Sequence, residues 1–178
     1  MRKVAGVLVV AAMALPVGLM ASPASAAGGT TCKTATGTAK FAPALPPLSS
    51  KVKVNEALTA AGTVGGCSGT VKSGTTKVTA PKNKDGGNCT TLATSKTPTT
   101  ATEVITWNTS ATSTVAIKLS PVAGKPATTR SLTGTVTAGL FKGMHQSGLV
   151  SYSLPAGACS AKPLASVVYK GITPLVIK

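Results

Sequence analysis

The chain has 178 residues, with 18 Lys and Arg against three acids (Glu56, Asp85 and Glu103), a formal charge of +15, one histidine and five aromatic residues. Three scattered carboxylates exclude a calcium cage, and His145 alone leaves no pattern for a hydrolytic triad or a catalytic zinc. The length suits one domain with its own core.

Arg2 and Lys3 form a positive start, Val4–Met20 is apolar and uncharged, and Ala24-Ser25-Ala26 supplies the small residues of a cleavage site. Residues 1–26 are therefore expected to be a cleaved secretory signal. The alternative, a retained anchor, is disfavoured: the run falls short of the ~20 apolar residues that span a bilayer and contains Pro16. Cys32 follows Gly29-Thr30-Thr31 and lacks a lipid-attachment pattern, and no later stretch is long enough to span a bilayer. The expected product is a secreted, extracellular domain over 27–178, with 16 basic residues against three acids, a formal +13.

That domain reads as short period-two runs rich in Thr and Val, broken by Gly, Pro, Ser and Asn. Thr34–Phe41 is the first expected strand, and the proline-rich Ala42–Ser50 an expected turn or edge crossing. Val52–Val64 and Thr70–Thr79 follow, with Gly74 as a candidate bulge. Pro81–Asn88 is a hydrophilic loop with an Asp-Gly turn signal. Thr90–Thr102 is expected to be a hairpin loop or weak edge strand. Thr102–Asn108, with Ile105 and Trp107 on one face, pairs with Thr114–Ser120, whose Val115, Ile117 and Leu119 share a face. Ser131–Thr137, Leu149–Leu154, Leu164–Tyr169 and Leu175–Ile177 complete the set. Eight or nine short strands with turns every 8–12 residues point to an all-β, antiparallel two-sheet β-sandwich in preference to a barrel, with Ig-like and jelly-roll orders both open.

Cys32, Cys67, Cys89 and Cys159 are an even set in an exported chain, so two disulfides are expected, with three connectivities available. The favoured pairing is a local Cys67–Cys89 loop and a Cys32–Cys159 staple between the ends of the domain. The absence of Cys-x-x-Cys spacing speaks against zinc and redox chemistry.

Phe41-Ala42-Pro43, Gly65-Gly66-Cys67-Ser68-Gly69, Cys89, Ile105-Thr106-Trp107-Asn108-Thr109, the run Gly134–Gly143 and Cys159 occur in an order that resembles a group of uncharacterised small secreted all-β proteins of high-GC Gram-positive bacteria. The resemblance covers most of residues 27–178. Trp-Asn-Thr and Gly-Thr-Val-x-x-Gly-x-Phe-x-Gly are its most specific parts. It implies secretion and a single β domain, and brings no activity or site residues. Within the second motif, Gly134, Gly139 and Gly143 suit positive φ or close backbone approach, and Phe141 is expected to plug the end of the core.

No catalytic residue, cofactor or metal ligand is assigned. Glu56 and Glu103 are read as solvent-face residues near lysines, His145 as a surface residue and Trp107 as a core anchor. The Asn88-Cys89-Thr90 and Asn108-Thr109-Ser110 sequons are read as accidental. Few aromatics argue against single-strand nucleic-acid binding. The leading expectation is a non-catalytic binding or structural module at anionic envelope or extracellular polymers, set against charge that serves solubility alone. The alternatives are an extracellular protein-interaction domain, partnered by another envelope protein, and an unrecognised hydrolase.

Overall fold

The computed structural model describes residues 28–155, 157–160 and 162–178; the expected signal at 1–26 lies outside the described residues. Nine strands follow one another: β1 (Thr30–Leu45), β2 (Ala57–Cys67), β3 (Ser73–Ala80), β4 (Thr99–Trp107), β5 (Thr112–Pro121), β6 (Thr129–Gly139), β7 (His145–Ser153), β8 (Leu164–Gly171) and β9 (Leu175–Ile177). One short helix, α1 (Cys89–Thr94), precedes β4.

Each strand from β1 to β8 pairs antiparallel with the next. The free edge of β1 then takes β8 along Thr36–Lys40 and β9 along Thr30–Cys32. β9 also pairs with Gln146 and Ser147 of β7. β8 and β9 thus share one position, and the sheet closes into an eight-position barrel. This overturns the two-sheet sandwich. A barrel strand and a sandwich strand carry the same in–out alternation, so period two does not separate them. The closing feature is β1, 16 residues long, which is paired along both edges.

The elements depart from the expected boundaries where local chemistry allows continuation. β1 runs on to Leu45 through Pro43. The β1–β2 ladder ends at Ala42, and the β1–β8 register shifts between Lys40 and Leu45, so Pro43 sits where no ladder donor is required. Gly74 is not a bulge, since the β3 register passes through it on both sides. A Cβ there would lie 3.1 Å from Trp107 Cε3, so this glycine makes room for the indole. A bulge falls instead on β6 at Thr137, where the consecutive Thr114 and Val115 of β5 face Ala138 and Val136. Residues 90–94, expected to be loop or strand, belong to α1. Its Asn88 cap is reciprocal: Thr91 N donates to Asn88 Oδ1 at 2.9 Å, and Asn88 N donates to Thr91 Oγ1 at 2.8 Å.

The barrel has two unlike ends. The connections at 68–72, 108–111 and 140–144 are short and close one end, whereas 172–174 merely interrupts the stave that β8 and β9 share. At the closed end Trp107 and Phe141, each 2% exposed, meet edge to face with ring centroids 5.6 Å apart, and Phe141 plugs the barrel as its motif implied. The connections at 46–56, 81–98, 122–128 and 154–163 are long and gather at the other end with α1.

The disulfides are Cys32–Cys67 and Cys89–Cys159, which corrects the expected pairing of Cys67 with Cys89 and Cys32 with Cys159. Cys32 and Cys67 face each other in the β1–β2 ladder at the closed end. Cys89 opens α1 at the long-loop end, so the length of the barrel separates it from Cys67. Its partner Cys159 lies in the β7–β8 loop at the same end.

Candidate functional site

The inner faces of the strands carry small residues. Ala39 of β1 stands beside Ala60 of β2, and Gly37 beside Gly62. The lumen therefore stays unfilled above the plug and holds a cavity of about 560 Å³, inside the range of about 300–1,000 Å³ typical of small-molecule sites. Its walls are apolar, with Val78, Val167, Leu119 and Leu132 among them. It reaches solvent at the long-loop end, where the exposed Lys53, Lys82, Lys84 and Asp85 form part of the rim.

Polar groups line the cavity at one level. Strand alternation aims Ala101, Glu103, Ile105 and Trp107 of β4 inward, all of them buried. Gln146 of β7 also points inward and is 1% exposed. Its Nε2 donates to Glu103 Oε2 at 2.7 Å, a bond that bridges the lumen between staves separated by β5 and β6. Gln146 Oε1 is buried without a partner. Glu103 Oε1 makes no hydrogen bond among the described residues. From β8, the Tyr169 ring lies across Gly37 and Gly62, where any Cβ would collide with the phenol. Its hydroxyl reaches Thr76 Oγ1 of β3 at 3.4 Å. Thr76, Glu103, Gln146 and Tyr169 form a polar floor, and the Trp107–Phe141 plug lies beneath it.

Burial raises the Glu103 carboxyl above its ordinary value of 4.5, and the Gln146 hydrogen bond opposes part of that rise. Burial likewise raises the Tyr169 phenol, with Thr76 opposing and the Glu103 charge adding to the rise. The folded chain therefore holds the Glu103 proton to higher pH than the unfolded chain. The stability contributed by protonated Glu103 is complete below about pH 4.5 and is lost as pH rises through the folded titration. Glu103→Gln is expected to match the natural chain near pH 4 and exceed it above the Glu103 titration by roughly 1–3 kcal/mol, the penalty on a poorly satisfied buried polar group. Urea midpoints across that range check this; a pH-independent difference contradicts it.

The reading of both glutamates as solvent-face residues is thus corrected. Glu103 is 6% exposed inside the barrel, aimed there by its register with Ile105 and Trp107. Glu56 is half-buried at the mouth, where Asn83 Nδ2 donates to its Oε1 at 3.0 Å and its Oε2 is buried without a partner. His145 is exposed, 3.3 Å from Thr135 Oγ1 through Nδ1. It precedes the inward Gln146, so alternation turns it outward, and the structure does not bring it to Glu103. Trp107 is the core anchor expected, its Nε1 donating to Ser113 Oγ at 2.8 Å.

The mouth is held together by long-range contacts. Tyr152 Oη donates to Leu92 O of α1 at 3.0 Å, Arg130 Nη1 donates to Ser95 O at 3.1 Å, and Cys89 N donates to Pro46 O at 3.0 Å. With the Cys89–Cys159 bond, these fix α1 beside the opening. Among the described residues no helix is long and apolar enough to cross a membrane. Compared with known proteins, the chain matches no family model, no curated protein and no solved structure.

Proposed function

We propose that this chain is an exported, non-catalytic binding barrel that holds one small, mostly apolar molecule in its lumen. The observation that carries this reading is the 560 Å³ cavity itself, apolar along its walls, open at one end and floored by hydrogen-bonding groups. An eight-stranded barrel is just wide enough either to be filled by its own side chains or to hold one small ligand. The inward alanines and glycines favour the second outcome. Export is supported by the signal-like residues 1–26 and by two disulfides, which persist in oxidising compartments.

The basic charge serves location in this reading. Lys40, Lys77, Lys118 and Lys170 are exposed on β1, β3, β5 and β8, spread around the barrel instead of forming one face. Such a field gives weak, salt-sensitive association with anionic envelope or extracellular polymers, while selectivity resides in the lumen.

The test uses the full chain and Nile red, whose emission rises in apolar surroundings. Ala60 lines the cavity between its neighbours Ala39 and Val78 on the adjoining strands. Ala60→Trp, and the milder Ala60→Phe, place a ring in the lumen. Saturable binding to the natural chain is expected, weakened at least tenfold (about 1.4 kcal/mol) in Ala60→Trp with circular dichroism unchanged. Equal binding by all three chains places the probe elsewhere and overturns the reading.

A further inference from the structure

Resting on the lumen reading, we infer that the molecule held there is an amphiphile whose buried end is a primary ammonium, received by Glu103 and Gln146. The floor is rich in acceptors. Glu103 Oε1 has no hydrogen bond among the described residues, and Gln146 Oε1 is buried and unpartnered; the Tyr169 and Thr76 hydroxyl oxygens lie at the same level. With Gln146 Nε2 donating to Glu103, the amide oxygen is the end left over, and it can only accept. An ammonium carries three N–H donors and no acceptor, so it satisfies such a floor. A hydroxyl offers one donor, and a carboxylate offers none and meets Glu103 with like charge.

Charge placement points the same way. Glu103 is 6% exposed, and no cationic side chain pairs with it among the described residues. Arg130 is the nearest basic residue by register to Gln146 among those lining the cavity: it lies four residues along β6 from Gly134, the partner of Gln146. That is about 13 Å towards the mouth, and its guanidinium is engaged by Ser95 O. A buried carboxylate without a counter-ion is the group that gains most from a bound cation. The rim lysines are exposed and mixed with Glu56 and Asp85, and salt screens them over about 8 Å, whereas Glu103 acts at contact. Above the floor, Ala39, Ala60, Val78 and Val167 offer the apolar wall that an alkyl chain requires.

An adjacent ammonium favours the ionised carboxylate and so opposes the effect of burial on Glu103. Among the described residues, Tyr169 from β8 is the one other titratable group at this level. β3 presents Thr76 and Val78, β5 presents Val115 and Ile117, and β7 presents Gln146. Amine affinity should therefore rise with pH across the Glu103 titration, while Tyr169 remains neutral.

The experiment is calorimetric titration of the full oxidised chain with decylamine, decanol and decanoate, each below its aggregation threshold. Decylamine is expected to bind at least tenfold tighter than decanol, with decanoate weakest. Glu103→Gln should lower amine affinity about tenfold and remove most of the preference for decylamine over decanol. Gln146→Leu, which keeps the carboxyl, should weaken the amine severalfold. Equal affinities for amine and alcohol, or an amine affinity indifferent to Glu103→Gln, overturn the ammonium assignment and leave the lumen reading standing. Failure of all three compounds to bind overturns both.

Discussion

Replacing Trp107 by alanine is expected to remove about 3–5 kcal/mol of stability, the usual range for deleting a buried aromatic ring. The residue is 2% exposed and fills the closed end together with Phe141. Gly74 is already cut back to admit the indole. A relay also ends on it: Trp107 Nε1 donates to Ser113 Oγ, and Ser113 Oγ donates to Leu140 O at 2.6 Å. Alanine leaves a void between strands that a closed barrel cannot collapse, because every stave is hydrogen-bonded on both edges. At about 2–4 °C per kcal/mol for a domain of this size, the midpoint should fall by about 10–15 °C. Trp107→Phe keeps most of the volume and should lose much less. Thermal unfolding followed by circular dichroism checks both; a fall of under about 3 °C for Trp107→Ala would show that the plug is not the structural base of the barrel.

This end of the molecule was legible in the sequence. The alternation that put Ile105 and Trp107 on one face is seen, as are the β4–β5 pairing, the positive φ of Gly139 and Gly143, and Phe141 at the end of the core. The same alternation also carried the site, because Glu103 stands two residues before Ile105 and must share its face. The surrounding lysines suggested a solvent role instead, and a charge in phase with an apolar face was the overlooked signal. Gln146 was harder to find, since its neighbours Gly148 and Val150 form a weak pattern and Tyr152 lies further on. Tyr169 crosses Gly37 and Gly62, which are far apart in sequence and meet it only through the register of β8, β1 and β2. Barrel closure depends on that same long-range pairing. Cysteine pairing follows register too, so Cys32 finds Cys67 once β1 lies beside β2. No spacing rule supplies that partner.

The Cys89→Ala, Cys159→Ala double variant is expected to lose roughly 4 kcal/mol, from the entropy released to an unfolded chain whose crosslink spans 70 residues. The midpoint should fall by about 10–15 °C, similar to the Trp107 variant but by a different route. The indole acts through native packing, and the crosslink acts chiefly on the unfolded ensemble. Reducing the Cys89–Cys159 bond in the natural chain should reproduce the shift. The local consequences also differ from those at Cys32–Cys67, where the β1–β2 ladder already holds the two strands together. At the mouth, Cys89 begins a six-residue helix and Cys159 lies in an irregular loop. Without the bond, α1 is retained by non-covalent contacts: the Tyr152, Arg130 and Pro46 hydrogen bonds, those of Asn88 to Ser50 O and Val52 O, and the packing of Leu92. Hydrogen exchange should therefore quicken first over α1 and the β7–β8 loop, with β4 and β5 still protected. Exchange of a lumen-bound probe should quicken with it, because α1 borders the opening. Uniform loss of protection around the barrel would mean that the crosslink supports the whole fold and not the mouth, and would remove α1 from any account of ligand entry.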